Sequence, residues 1–289
     1  MKILLFFLTM FCESSALFGA PDWKALRTTW GLEIWKSNIF EAMPLTETEA
    51  QKTYKKLPTS TNCEGTFMGY RYIKDNNPSV VLLFDSNGCI AGIQTGLPKN
   101  LITSDFGRKW FQDSDMFIDD NINGTDTYTL TAYFRDPQNI CSGGQQKCDA
   151  DGNPVGTKLS LQTKGSGIVT DKIKIPMNES DLQGDTFWTK GRCFPSMGVH
   201  YWGNGLKPDM DCDNFFPAFL LYNGGKLTGL GWAVQSGFDF SNKYERPPKD
   251  ALKKFMTTVP QCLLDNFDTV GGFTTMHVYM NAEPWHLTC

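Results

Sequence analysis

The chain has 289 residues, of which 40% are hydrophobic and 20% charged, and a formal net charge of −4. This composition suits a globular protein with one large core or two small ones. The acidic balance and the lack of any Lys/Arg stripe argue against a general nucleic-acid binder, because a phosphate backbone demands clustered positive charge.

Met1-Lys2, the apolar run Ile3 to Phe11 and the small residues Ser14-Ser15-Ala16 have the layout of a secretory signal peptide. Residues 1–20 are therefore expected to be removed, with cleavage near Ala16 or Ala20. The run is too short to cross a bilayer, and no later stretch approaches the roughly 20 apolar residues a transmembrane helix needs. The mature chain is expected to be secreted and extracellular, with no transmembrane anchor.

From Trp23 to Phe40 the sequence is aromatic without a clear period. Thr46-Glu-Thr-Glu49 has capping-box spacing, and a short helix is expected to continue over Ala50 to Leu57. Beyond Cys63 the pattern turns to strands. Ser79 to Phe84, the turn residues Asp85-Ser-Asn-Gly88 and Cys89 to Ile93 read as a hairpin, since Asn and Gly supply the positive φ of tight turns. A helix is expected over 104–112, and a strand then closes this half just before Cys141. Ser142 to Gly156 is loop chemistry, rich in Gly, Gln, Asp and Asn. Asp149-Ala-Asp-Gly resembles the start of a calcium loop but lacks the later bidentate Glu, so a plain turn is the simpler reading. Next come a second hairpin, Phe219 to Tyr222 with Asn223-Gly-Gly225 and Lys226 to Val234, a helix over 248–257 opened by Pro247-Pro248, and a strand closing before Cys289.

These elements repeat. Cys63-Glu-Gly-Thr-Phe-Met-Gly-Tyr-Arg-Tyr returns as Cys193-Phe-Pro-Ser-Met-Gly-Val-His-Tyr, the two hairpins match, and Tyr128 to Phe134 before Cys141 matches Phe273 to Tyr279 before Cys289. Several blocks in one order imply a duplication: a first half at 21–148, a linker loop at 149–156 and a second half at 157–289. The expected fold is α+β and β-rich, with internally duplicated antiparallel sheets packed as one pseudo-symmetric body, because neither half alone buries much surface.

Removing the leader takes Cys12 and leaves eight cysteines, an even number suited to disulfides in an oxidising compartment. The repeat equates Cys63 with Cys193 and Cys141 with Cys289, which favours Cys63–Cys141 and Cys193–Cys289 and leaves Cys212–Cys262 and Cys89–Cys148. A zinc cluster would need Cys-x-x-Cys spacing, which is missing. Asn123-Gly-Thr and Asn178-Glu-Ser are acceptor sites for N-glycosylation.

The halves differ at histidine. Arg71 aligns with His200 and Ala132 with His277, and His286 also lies in the second half. Strand alternation puts His200 and Trp202 on one face and Val199 and Tyr201 on the other; Thr275, His277 and Tyr279 share a face in the last strand. If the two strands are neighbours, His200 and His277 meet and supply acid/base chemistry or hold a metal, with His286 as a third ligand. A divalent metal is the cofactor this would imply; the alternative is that each histidine is a hydrogen-bonded structural residue. Asp209, Asp211 and Asp213 are either an oxygen-ligand group or a solvated loop. Phe194, Tyr201, Trp202 and Tyr279 are the candidate walls of a pocket for a small apolar or aromatic molecule, and equally suit a strand-rich core.

Gly-x-Ser-x-Gly, His-Glu-x-x-His, Walker-type and Gly-x-Gly-x-x-Gly motifs are missing from the sequence, which disfavours the common serine hydrolases, zincins, nucleotide triphosphatases and Rossmann enzymes. Gly165-Ser166-Gly167 alone does not nominate a nucleophile. Phe194 to Trp202, Met210-Asp-Cys, Phe216 to Tyr222 and Met276-His-Val-Tyr279 resemble strings in secreted invertebrate proteins, a resemblance that implies secretion and no particular activity.

Three functions fit these observations. The first is a secreted, disulfide-bonded glycoprotein binding a small apolar or aromatic molecule near His200 and His277. The second is a histidine- or metal-assisted oxidoreductase or oxygenase, luciferase-type chemistry included, acting on a small organic substrate. The third is a structural or adhesive extracellular protein.

Overall fold

The computed structural model describes residues 22–28, 36–144, 147–149, 152–165 and 172–289. The expected signal peptide with Cys12, the stretch 29–35, Ala150-Asp151 and Ser166-Gly167 lie outside the described residues.

The strands run in chain order as β1 (Leu26–Thr28), β2 (Glu41–Met43), β3 (Lys55–Lys56), β4 (Tyr70–Ile73), β5 (Val81–Phe84), β6 (Ile90–Pro98), β7 (Ile118–Ile122), β8 (Thr125–Tyr133), β9 (Leu159–Gln162), β10 (Lys172–Ile175), β11 (Thr189–Phe194), β12 (Gly198–Trp202), β13 (Ala218–Asn223), β14 (Lys226–Val234) and β15 (Thr274–Tyr279). They form two antiparallel sheets. One has the order β10-β9-β8-β6-β5-β4-β3, with β7 on the far end of β8; the other has the order β11-β12-β13-β14-β15-β1-β2. The β-rich, duplicated architecture read from the sequence is the one observed.

Alternation builds the core. Along β14 the side chains of Leu230, Trp232 and Val234 enter one apolar cluster together with Ile93 and Leu97 of β6, Leu82 and Phe84 of β5, and Leu220 of β13. One core thus lies between the two sheets, closed by aromatic contacts such as Trp110 to Phe215 at 6.4 Å and Phe111 to Phe238 at 6.3 Å. Glycine explains the repeated Met-Gly pair. Gly69 and Gly198 both have positive φ, 101° and 97°, and a Cβ there would lie 3.0 Å from the Phe84 carbonyl oxygen or 2.4 Å from that of Tyr222.

The strand registers define which positions are equivalent. Arg71 pairs with Leu83, Leu83 with Gly92 and Gly92 with Tyr133; His200 pairs with Leu221, Leu221 with Gly229 and Gly229 with Tyr279. Tyr133 therefore corresponds to Tyr279 and Thr131 to His277. This corrects the alignment of Ala132 with His277 by one residue; in a strand such a slip changes face, and Ala132 points into the core.

Three expectations about elements change. The helix after Thr46 covers only Glu47–Ala50, capped by the Thr46 hydroxyl, because Lys55-Lys56 leaves to pair as an edge strand with Ile73 and Tyr72. The second-half helix is a 3₁₀ turn, Lys249–Ala251, running into Leu252–Phe255, whereas Asp105–Asp113 is a helix capped by the Ser104 hydroxyl. The closing strands end at Tyr133 and Tyr279, and the helical turns Pro137–Ile140 and Pro284–His286 separate them from Cys141 and Cys289. Proline at the start of each turn cannot donate to a ladder and sets the φ of a first helical residue.

The sheets also cross the boundaries 21–148 and 157–289. β1 and β2, from the start of the chain, complete the second-half sheet, while β9 and β10 complete the first-half sheet. The disulfides do not cross. Cys63–Cys141 and Cys89–Cys148 close within the first half, Cys193–Cys289 and Cys212–Cys262 within the second, with Cα separations of 5.6, 5.1, 6.0 and 5.7 Å. Two of these are the pairings the repeat favours, and the other two are the pairings it leaves over.

Candidate functional site

His200 lies in the middle of β12 and His277 in β15, and their strands are not neighbours, since β13 and β14 stand between them. Their rings nonetheless come within 6.0 Å, centroid to centroid, at 84°. Residues directly opposite in a ladder share a face, so His200, Phe219, Gly231 and His277 all lie on the sheet face away from the central core. Gly231 makes the approach possible. A Cβ there would lie 2.0 Å from the Phe219 ring, so that ring fills the space a side chain would take. The Phe219 ring is 5.4 Å from His200 and 4.9 Å from His277, and so forms a shared wall.

The two imidazoles open on a cavity of about 30 Å³, roughly the liquid volume of one water molecule. Trp202, Phe219 and Phe273 line it, and Pro247, Leu252, Phe255 and Met256 bring in the segment that carries the 249–255 helical turns; Met197, Glu245 and Thr275 complete the lining. His277 and Glu245 have side chains only 5% and 3% exposed.

Hydrogen bonding fixes how each imidazole is presented. The Nδ1 of His200 is 3.2 Å from the Arg192 carbonyl oxygen; a carbonyl only accepts, so Nδ1 carries the hydrogen and Nε2 keeps a lone pair. Burial, helped by neighbouring His277, pushes the His200 pKa down to about 3. The Nδ1–H of His277 donates to Glu245 Oε2 at 2.6 Å, and the same oxygen accepts from the Thr275 hydroxyl at 2.9 Å. Glu245 is itself held by a two-bond backbone bridge to Thr275, at 2.8 and 3.0 Å. Both Nε2 atoms are buried with no protein partner. Two orphaned acceptors beside one apolar cavity are a costly arrangement unless something binds there.

The equivalent place in the first half is satisfied internally. Arg71 donates from Nε to Gln94 Oε1 at 2.8 Å and forms an ion pair with Asp120; Gln94 in turn donates to Thr131 at 2.9 Å. Asp120 accepts from the Thr129 hydroxyl at 3.2 Å, as Glu245 does from Thr275, the residue equivalent to Thr129. An acid held by a threonine is thus common to both halves. Only the second half aims it at a histidine.

The other expected site residues divide. Trp202 lines the cavity and stacks on His200 at 6.1 Å and 14°. Tyr279 stacks on His277 at 6.1 Å and 12°, one step outside the lining. Phe194 packs behind the cavity against Phe255, at 5.1 Å. Tyr201 is on the opposite face, by alternation, where its hydroxyl donates to Glu179. His286 is exposed on the turn after β15, 3.3 Å from Glu283, and does not join the other two. Asp211 caps the turn Cys212–Asn214 and Asp213 pairs with Lys109 of the 105–113 helix, so both acids are engaged in structure. Among the described residues no group of three or more His, Cys, Asp or Glu is placed to hold a metal ion. Of the acceptor asparagines, Asn123 is exposed in the β7–β8 turn, and Asn178 is half-buried, bonded to Asp181 and Lys226.

Sequence reasoning missed Glu245, Phe219, Met197 and Met256. Glu245 reaches His277 through a bridge between residues far apart in the chain, which no local pattern marks. Met197 belongs to the repeated Met-Gly pair and so reads as scaffold. No helix among the described residues is long and apolar enough to cross a membrane. The chain matches no protein-family model, no curated protein and no solved structure.

Proposed function

We propose that this is an extracellular ligand-binding protein whose site is the His200–His277 cavity, and that its ligand is a small, largely apolar or aromatic molecule carrying a hydroxyl or N–H group. The observation that supports this most is the pair of buried, unpartnered Nε2 atoms beside an apolar cavity. Apolar walls with a few convergent polar groups suit small-molecule recognition, and each orphaned acceptor calls for a donor. The volume of about 30 Å³ sets a condition: an aromatic ring enters only if side chains of the lining move aside. Four disulfides fit an oxidising, extracellular setting.

Ligand-observed NMR with phenol and its methyl ether, anisole, tests the reading. Phenol is expected to bind at least tenfold more tightly than anisole, and His200→Phe with His277→Phe to remove the difference. Equal binding of the two, or none, sinks it and favours a structural or adhesive role.

The second reading is an oxidoreductase or oxygenase acting on a small organic substrate, luciferase-type chemistry included. The Glu245–His277 pair favours it, because a carboxylate behind an imidazole orients the ring and stabilises a proton taken up at Nε2. Oxygen uptake with a phenolic substrate, lost in Glu245→Gln, is the expected sign.

A further inference from the structure

The lining of the cavity contains two thioethers as well as two imidazoles. Met197 and Met256 are both buried, 3% and 1% exposed, and both line the space that His200 and His277 face. We infer that this cavity is a binding site for a single copper(I) ion, with His200 Nε2, His277 Nε2 and the sulfur of Met197 or Met256 as its ligands.

Four features carry the inference. The donor set comes first: thioether sulfur is a soft ligand that selects copper(I), imidazole also suits copper, and hard oxygen-seeking cations such as calcium and magnesium find no oxygen cage here. Next is the presentation of the nitrogens. In each histidine Nδ1–H is given to an outer partner, the Arg192 carbonyl or the Glu245 carboxylate, and the bare Nε2 is left free. This outer-partner arrangement is what fixes the ring and raises ligand basicity at metal-binding histidines. The third is size. A cavity of about 30 Å³ has room for one ion with at most a water or two, which suits a cation that sheds most of its hydration shell. The last is charge: Glu245 is the one carboxylate in the lining, so a monovalent ion is balanced, whereas a divalent one leaves excess positive charge in an apolar space.

The divalent, three-histidine site expected from sequence is not assembled, because His286 is exposed on the turn after β15. The copper(I) site needs no third histidine. It deepens the oxidoreductase reading by naming a redox-active ion, and it does not depend on phenol binding. Copper retained without phenol binding leaves this inference standing; phenol bound without copper leaves only the earlier one.

The test uses the full chain, stripped of metal and titrated without oxygen with tetrakis(acetonitrile)copper(I) against bicinchoninate as competitor, with stoichiometry from native mass spectrometry. One copper per chain is expected, with nitrogen and sulfur scatterers in X-ray absorption. Met197→Leu with Met256→Leu conserves volume, so the fold should hold, and affinity is expected to fall by at least the roughly 10- to 100-fold that loss of an outer partner alone costs. His200→Phe with His277→Phe should abolish retention, with near-UV circular dichroism checking that the variant folds. Failure to retain copper(I), retention undiminished in the methionine variant, scattering from light atoms alone, or zinc bound as tightly as copper(I) would each overturn it.

Discussion

His200 sits where an imidazole is least at ease. It is buried, stacked on Trp202 and hydrogen-bonded only to backbone, at Arg192 and Gly198, so its charged form is strongly disfavoured. The unfolded chain takes up a proton at this residue near pH 6.5, and the folded chain only near pH 3. Between those limits the unfolded state binds more protons, so stability is complete above about pH 6.5 and is lost progressively as pH falls towards 3. The titratable groups facing His200 across the cavity are His277 and Glu245. For the metal-free protein a loss on the order of 3 kcal/mol is expected between pH 7 and pH 4, read from denaturant midpoints, and His200→Phe should remove most of that pH dependence. A pH profile unchanged in the variant would count against the neutral, buried assignment. His200 and His277 were legible in the sequence because a duplication acts as its own control: a residue present in one copy only stands out. The partners that tune them were not, because Glu245 is recruited across the fold and the copy at Thr131 is displaced by one residue from the apparent alignment.

At the scale of elements, β14 shows how a strand makes room for a site. One of its faces carries Leu230, Trp232 and Val234 into the core, and the other offers Gly229, Gly231 and Ala233. That bare stripe lets side chains from β13 and β15 lean over it. Gly231→Ala places a methyl group 2.0 Å from the Phe219 ring, and Phe219 is too well packed to retreat freely. A loss of about 1–3 kcal/mol is expected, together with loss of ligand or copper binding; unchanged stability would show that the ring has somewhere to go. Edge strands follow a different rule. β3 is Lys-Lys and β10 is Lys-Ile-Lys-Ile, so both ends of the first-half sheet carry lysine, a common guard against edge-to-edge pairing. Replacing Lys174, the exposed lysine of β10, with Thr should raise aggregation in light scattering without lowering the melting temperature. The hairpins were readable because Asn-Gly and Gly-Gly impose local geometry. The order of strands across each sheet was not, because pairing such as β1 with β15 depends on the whole chain.

For the whole molecule, the covalent and non-covalent connections follow different plans. Every disulfide stays within its own half, closing spans as long as 78 and 96 residues, and loops of that size contribute about 4–5 kcal/mol each in the chain-entropy account. Replacing Cys63 and Cys141 with Ser should therefore cost several kcal/mol in chemical denaturation. The sheets, by contrast, are completed across the halves. A protease site inserted after Gly152, which is exposed, should give two fragments that migrate together on a native gel and apart in non-reducing SDS; separation in both would contradict the strand order described above.

The placement of β1 beside β15 also bears on synthesis. Leu26 to Thr28 leave the ribosome long before their ladder partners Val278 and Tyr279. The second-half sheet therefore cannot close until β15 has emerged. Until β15 has been made, the opening segment must wait with only β2 beside it, and closure of the sheet becomes a late step of folding.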